Sequence, residues 1–262
     1  MKQARLVVAL GAAMMLAACV SSGGGSGSGR AVDPAGAAIA NMQLGVAYMN
    51  QGKMAMAKER LERAAKQDPK NADVQFALGE LYNRLGEKRD ADRHYRSAMQ
   101  LAPDKLEIVN GYATFLCTND EVDKALAEYE KLMHNPLYNR QPAAATNAGM
   151  CLRDQKRHRD AVRYFEVALA KQPDWIDAAV QLADTQILLE DPAAARRTVD
   201  NFQSMRNSPT VLLLGVRASV AQGDCNAAGV YARKLRNDFG SSRETLVLLP
   251  QVLGSCARSS GQ

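Results

Sequence analysis

Three histidines, His94, His134 and His158, and five cysteines are the side chains best suited to acid–base, nucleophilic or metal chemistry, and their spacing assembles no reactive set. His94 sits beside Tyr95, His134 near a helix end, and His158 in the basic run Lys156-Arg157-His158-Arg159. None stands in a pattern of nucleophile, base and orienting group. No Cys-x-x-Cys or histidine pair has ligand spacing, so no metal is expected. The glycines between Gly23 and Gly29 lack the following Lys-Ser/Thr of a phosphate loop. These absences point to a non-enzyme with no cofactor and no small-molecule substrate, and an exported hydrolase would need a reactive residue that the chain does not offer.

The elements that position these residues follow from a repeat. Leu44-Gly45 and Leu78-Gly79 lie 34 residues apart, and the same skeleton follows each: Tyr48, Ala57, Leu61, Ala64, Pro69, then Tyr82, Ala91, Tyr95, Ala98, Pro103. Tyr112, Ala113, Leu116, Ala125, Tyr129 and Leu132 keep the same register. The period identifies a tetratricopeptide solenoid, an all-α fold of about six helix-turn-helix units. Small residues sit where paired helices approach, large ones fill the space between at i, i+3, i+4 spacing, and Pro69, Pro103 and Pro173 end the second helices. Neither helix buries its face alone, so each unit needs the next.

The phase slips by two residues between His134 and Pro142, then resumes with Gly149, Leu152, Ala161, Phe165 and Pro173. Weaker units follow around Leu182-Ala183 and Leu214-Gly215, as expected toward the end of a solenoid. The predicted repeats are 38–71, 72–105, 106–139, 142–175, 176–207 and 208–240. A capping helix is expected over 241–257, opened by the capping box Ser241-Ser242-Arg243-Glu244 and bent at Pro250.

The N-terminus supplies an address. Lys2 and Arg5 precede an uncharged small and apolar stretch, Leu6 to Ala18, too short for an ordinary membrane span and shaped like a secretory signal. Leu16-Ala17-Ala18-Cys19 resembles the bacterial lipobox, which implies cleavage after residue 18 and lipidation of Cys19; an ordinary signal peptide with a coincidental cysteine is the competing reading. Several acyl chains on one cysteine anchor stably. Val20 in place of aspartate after the cysteine implies delivery to the outer membrane, on its periplasmic face. Residues 19–36 then form a lipidated Ser/Gly tether with an r.m.s. reach of roughly 20–25 Å, and 37–262 the repeat domain.

The formal net charge of +5 falls near +3 once Lys2 and Arg5 leave with the signal. No Arg/Lys block is interleaved with aromatics, so nucleic acid is not an expected partner. Cys117, Cys151, Cys225 and Cys256 remain, an even number in an exported chain. Because each repeat touches only its neighbours, the pairings Cys117–Cys151 and Cys225–Cys256 are expected over crossed ones, against the alternative of four buried free thiols.

In tetratricopeptide proteins the first helix of each unit lines the concave surface. That resemblance places Ile39, Met42, Val46 and Met49 there in the first unit, Asp73, Phe76, Glu80, Asn83 and Arg84 in the second, and Glu107, Asn110, Thr114 and Cys117 in the third. The groove would start apolar and become polar, suited to an amphipathic helix or extended peptide, with ordinary packing as the alternative for any single residue. A carboxylate clamp of the Lys/Asn kind would need polar groups where Met42 and Val46 stand, and is disfavoured.

With its lipobox, Ser/Gly tether, six units and cysteines on the first helices of the third and fourth, the chain resembles the PilF/PilW type IV pilus biogenesis lipoproteins. The stretches Asn135-Pro136-Leu137-Tyr138-Asn139 and Leu235-Arg236-Asn237-Asp238-Phe239 carry the resemblance most locally. It implies a pilotin that binds secretin subunits through its groove and helps them reach or multimerise in the outer membrane. A general outer-membrane adaptor that recruits peptidoglycan enzymes or β-barrel assembly factors shares every feature except those local stretches.

Overall fold

The computed structural model describes residues 33–202 and 208–259. Cys19, the signal stretch and the Ser/Gly tether lie outside them. The fold is all-α: six antiparallel helix pairs and a C-terminal helix stacked in chain order. The pairs are α1 (Pro34–Asn50) with α2 (Met54–Gln67), α3 (Ala72–Arg84) with α4 (Lys88–Leu101), and α5 (Leu106–Thr118) with α6 (Val122–His134). They continue with α7 (Gln141–Asp154) and α8 (His158–Lys171), α9 (Ile176–Leu188) and α10 (Pro192–Asn201), then α11 (Pro209–Ala221) and α12 (Cys225–Asp238). Helix α13 (Leu249–Ser259) closes the stack.

Helix ends follow local chemistry. Asn71 Oδ1 accepts the Asp73 and Val74 amides at 3.1 and 3.2 Å, and Asp191 and Asp224 cap α10 and α12 in the same way. Pro34, Pro192 and Pro209 occupy first-turn positions, where the missing N–H costs no helical bond. Pro34 thus starts α1 ahead of residue 38, where the repeat spacing would begin it.

Each turn between paired helices passes through the left-handed region, at Gly52, Gly86, Asp120, Lys156, Glu190 and Gly223. Their spacings of 34, 34, 36, 34 and 33 residues read the period directly, and the 36 contains the two-residue slip. In that slip Asn135 Oδ1 accepts the Leu137 amide at 2.9 Å, Tyr138 is buried, and Leu137 stands 87 % exposed. Lys156, at φ 59°, carries a Cβ where glycine is favoured. Lys156→Gly should therefore raise stability by roughly 0.5–1 kcal/mol, the left-handed penalty less the entropy of glycine, seen as about 2 °C in thermal unfolding. A fall in melting temperature would contradict this.

The core repeats one wedge. A large residue of the second helix presses on a small one of the first: Leu61 on Gly45, Tyr95 on Gly79, Phe165 on Gly149 and Tyr231 on Gly215. A Cβ at Gly149 would lie 2.4 Å from Phe165 Cε1, so only glycine allows that approach without moving the ring.

The expected cap differs in detail. Ser242, not Ser241, supplies the capping oxygen: its Oγ accepts the Thr245 amide at 3.2 Å, while Glu244 Oε1 accepts from Thr210. Before Pro250 the chain widens into a π-helical turn, Glu244–Leu248, with the Leu249 amide bonded to the Glu244 carbonyl. Proline lacks the N–H that would continue an α-helical ladder, and the wider turn absorbs that loss.

Candidate functional site

The first helices α1, α3 and α5 carry the residues assigned to the groove, and the structure divides those residues. On α1, Ile39 is 43 % exposed, and Met42 and Val46, at i+3 and i+7 on the same face, are half-buried with one side packed against the main core. Met49 is a correction. It is 4 % exposed and packs in the main core with Leu61, Val74 and Leu81, because α3 stacks over the end of α1. Phe76 is half-buried and likewise serves packing: its ring fills the space over Gly111 of α5 and meets Tyr95 edge-on at 5.7 Å. Neither side chain stands open as a groove anchor.

The polar residues bind neighbouring units. Arg84 Nη1 donates to the Met49 carbonyl at 3.3 Å, Asn119 Nδ2 donates to Asn83 Oδ1 at 3.2 Å, and Asn147 Nδ2 donates to Asn110 Oδ1 at 3.1 Å. Further along, Asp184 of α9 lies between Arg153 of α7 at 3.8 Å and Arg217 of α11 at 2.6 Å. Exposed ion pairs contribute only about 0–1 kcal/mol each; here their consequence is to hold the register of consecutive first helices.

Two disulfides join adjacent units. Cys117 on α5 is bonded to Cys151 on α7 with Cα atoms 5.8 Å apart, and Cys225 on α12 to Cys256 on α13 with Cα atoms 5.5 Å apart. The first spans the interface that holds the two-residue slip, and the second ties the terminal helix to the sixth unit.

The titratable groups serve packing. His94 Nδ1 lies 2.7 Å from Gln75 Oε1. Because Gln75 Nε2 donates to the Pro69 carbonyl, that imidazole nitrogen carries the hydrogen. Burial, then the Arg93 charge, lowers the His94 pKa, and its ring stacks on Tyr82 at 5.3 Å. Burial and the Glu62 carboxylate that accepts its hydroxyl push Tyr82 up to about 12, and burial pushes Tyr129 up to about 12. Such phenols stay protonated and act as donors, not nucleophiles. His134 Nδ1 lies 2.8 Å from the Glu130 carbonyl, and His158 is half-buried at the start of α8. Among the described residues no three His, Cys, Asp or Glu side chains gather as a metal site, and no helix is long and apolar enough to cross a membrane.

Asn110, which the sequence placed in the groove, lines a cleft of about 380 Å³ across α5, α7 and α9 together with Arg140, Asn147, Met150, Trp175 and Asp177, which sequence reasoning did not select. Trp175 Nε1 donates to Thr146 Oγ1 at 3.1 Å, and Thr146 Oγ1 donates to the Pro142 carbonyl at 2.8 Å, which pins the indole beside α7. Carrying the repeat register past Gly149 would have placed Thr146 and Met150 on the concave face.

Known proteins share this architecture. The tetratricopeptide repeat family matches residues 42–105. The solved structure of PilW, described as a widely conserved type IV pilus biogenesis factor, superposes with a TM-score of 0.61 at 30 % identity, covering 81 % of this chain and 98 % of that one. The chain belongs to the PilF/PilW family of tetratricopeptide proteins. Type IV pilus assembly protein PilF of Pseudomonas aeruginosa is 28 % identical over 206 residues, 78 % of this chain and 82 % of that protein. A solved structure of Pseudomonas aeruginosa PilF gives a TM-score of 0.59 at 26 % identity, over 83 % of this chain and 99 % of that one. PilF/PilW membership agrees with a concave scaffold built for protein–protein contact, the usual work of tetratricopeptide folds.

Proposed function

We propose that this chain is a pilotin: a lipoprotein anchored through Cys19 to the periplasmic face of the outer membrane, which binds secretin subunits and promotes their multimerisation for type IV pilus biogenesis. The observation that carries the binding half is α1. Its 17 residues include no charged side chain, yet Ile39 and Leu44 remain 43 % and 37 % exposed. An uncharged helix that leaves such side chains in solvent is suited to a partner on its free face, and among the described helices α1 packs chiefly on α2 and α3. An amphipathic helix of a secretin subunit laid along Ile39, Met42 and Val46 would cover that face. The pilus assignment of the PilF and PilW relatives supports this choice of partner over a general adaptor, and the lipobox at Cys19 supports the anchor.

Cys19→Ser separates the anchor from the rest of the molecule. In cells lacking the native chain, the variant should leave the outer-membrane fraction, fail to label with palmitate, and reduce heat-stable secretin multimers in parallel. A variant that stays in that fraction and labels would refute the anchor. Unchanged multimers from an unanchored chain would refute the link between anchoring and assembly.

A further inference from the structure

We infer that the C-terminal cap is a membrane-docking surface: Leu246 and Val247 insert into the interface of an anionic phospholipid bilayer, and Arg233, Lys234, Arg236 and Arg243 hold its headgroups. A helix that only closed a solenoid would turn a polar face outward. This cap does not. Its inward residues are Thr245, whose Oγ1 donates to the Phe239 carbonyl at 2.8 Å, and Leu249, buried with Leu212, Leu213 and Val216. The π-helical turn between them leaves Leu246 65 % and Val247 48 % exposed, and Pro250 is exposed as well. An apolar pair is thus held outward on a segment pinned to the end of α12.

The surroundings set the charge of the partner. From Cys225 to Pro250 the chain carries four cations, Arg233, Lys234, Arg236 and Arg243, all exposed, against two carboxylates, Asp238 and Glu244. Asp238 is exposed, while Glu244 is half-buried and accepts the Thr210 hydroxyl at 3.1 Å. Each cation close to an anionic leaflet strengthens adsorption about fivefold, and inserted apolar area adds to it. An apolar pair that stands out from a turn suits insertion between headgroups, where a protein partner would need a matching pocket. The inference rests on the lipoprotein reading for one thing only, a membrane within reach. Anchoring at Cys19 makes docking of the cap an intramolecular event, so a weak surface suffices. Because the tether precedes α1 and the cap follows α12, the two contacts hold opposite ends of the stack.

Pro34–Gln262 forms one compact unit, so the chain from residue 19 onward, carrying Cys19→Ser, presents the cap without the lipid or the apolar signal stretch. It should sediment with vesicles of phosphatidylethanolamine and phosphatidylglycerol and not with phosphatidylcholine vesicles, and binding should weaken as salt rises. Leu246→Glu/Val247→Glu and Arg236→Gln/Arg243→Gln should each raise the lipid concentration for half-binding at least tenfold. Both double variants should melt within a few degrees of the parent, because all four side chains are exposed. Leu137→Glu, which changes an exposed leucine outside the cap, should bind as the parent does. Failure of the parent to bind anionic vesicles, equal binding to phosphatidylcholine, or full binding by either double variant overturns the inference. Binding of the secretin subunit is measured for the same chains. Its loss in Leu246→Glu/Val247→Glu, with no vesicle binding by the parent, would assign the cap to the protein partner and overturn the membrane surface. Because the vesicle assay uses neither lipidation nor secretin, its failure leaves the pilotin reading standing, and failure of that reading leaves the vesicle result standing.

Discussion

Met49→Glu should unfold the first repeat, whereas Met42→Glu, seven residues earlier on the same helix, should leave the fold intact. Met49 is 4 % exposed among Leu61, Val74 and Leu81, and a carboxylate there would lose its hydration without gaining a partner. The loss of packing alone is about 2–5 kcal/mol for a buried methionine, and the unpaired polar group adds to it. In a chain of this length each kcal/mol moves the melting temperature by about 2–4 °C, so a fall on the order of 10 °C or failure to accumulate is expected. Met42 is half-buried and can turn its charge to solvent, so its variant should melt within a few degrees of the parent. Thermal unfolding by circular dichroism checks both, and equal shifts for the two would contradict the burial pattern of α1.

The second large effect concerns Cys117–Cys151. Closing a 34-residue separation restricts the unfolded chain by about 3–4 kcal/mol, and the bond also clamps α5 to α7 across the two-residue slip. A solenoid is held by interfaces between nearest neighbours. The double variant Cys117→Ser/Cys151→Ser should therefore lose stability by about that amount and uncouple units one to three from units four to six. Hydrogen exchange should show the two halves opening separately, where the parent opens as one. Equal protection in parent and variant would mean that the bridge adds nothing at this interface.

The repeat was legible because its skeleton has a steric cause that sequence records: glycine or alanine where helices touch, and Tyr95, Tyr129 or Phe165 as the wedge. The left-handed turns were not read from sequence: glycine stands at Gly52, Gly86 and Gly223, but Asp120, Lys156 and Glu190 hold the same conformation, so no one residue type marks the place. Groove register was less legible. It gives the side of a helix on which a residue lies, and not whether the next unit covers it, so Met49 and Phe76 read as accessible until α3 and α5 were in place. Of the central cleft the sequence reading reached Asn110 but not Asn147, Met150 or Trp175, because they follow the two-residue slip and no local pattern links them to Asn110. At the cap, Ser241 and Ser242 are adjacent serines, and only the bond to the Thr245 amide separates them.

The most direct test of the proposed function is the affinity of the full chain for the isolated secretin subunit, measured for the parent and for Met42→Glu after thermal unfolding has shown both folded. The account predicts saturable binding that Met42→Glu weakens tenfold or more, the ~1.4 kcal/mol scale of a lost apolar anchor. A folded Met42→Glu chain that binds the secretin subunit as tightly as the parent would remove the α1 face from the binding site, and no binding by the parent would contradict the pilotin assignment itself.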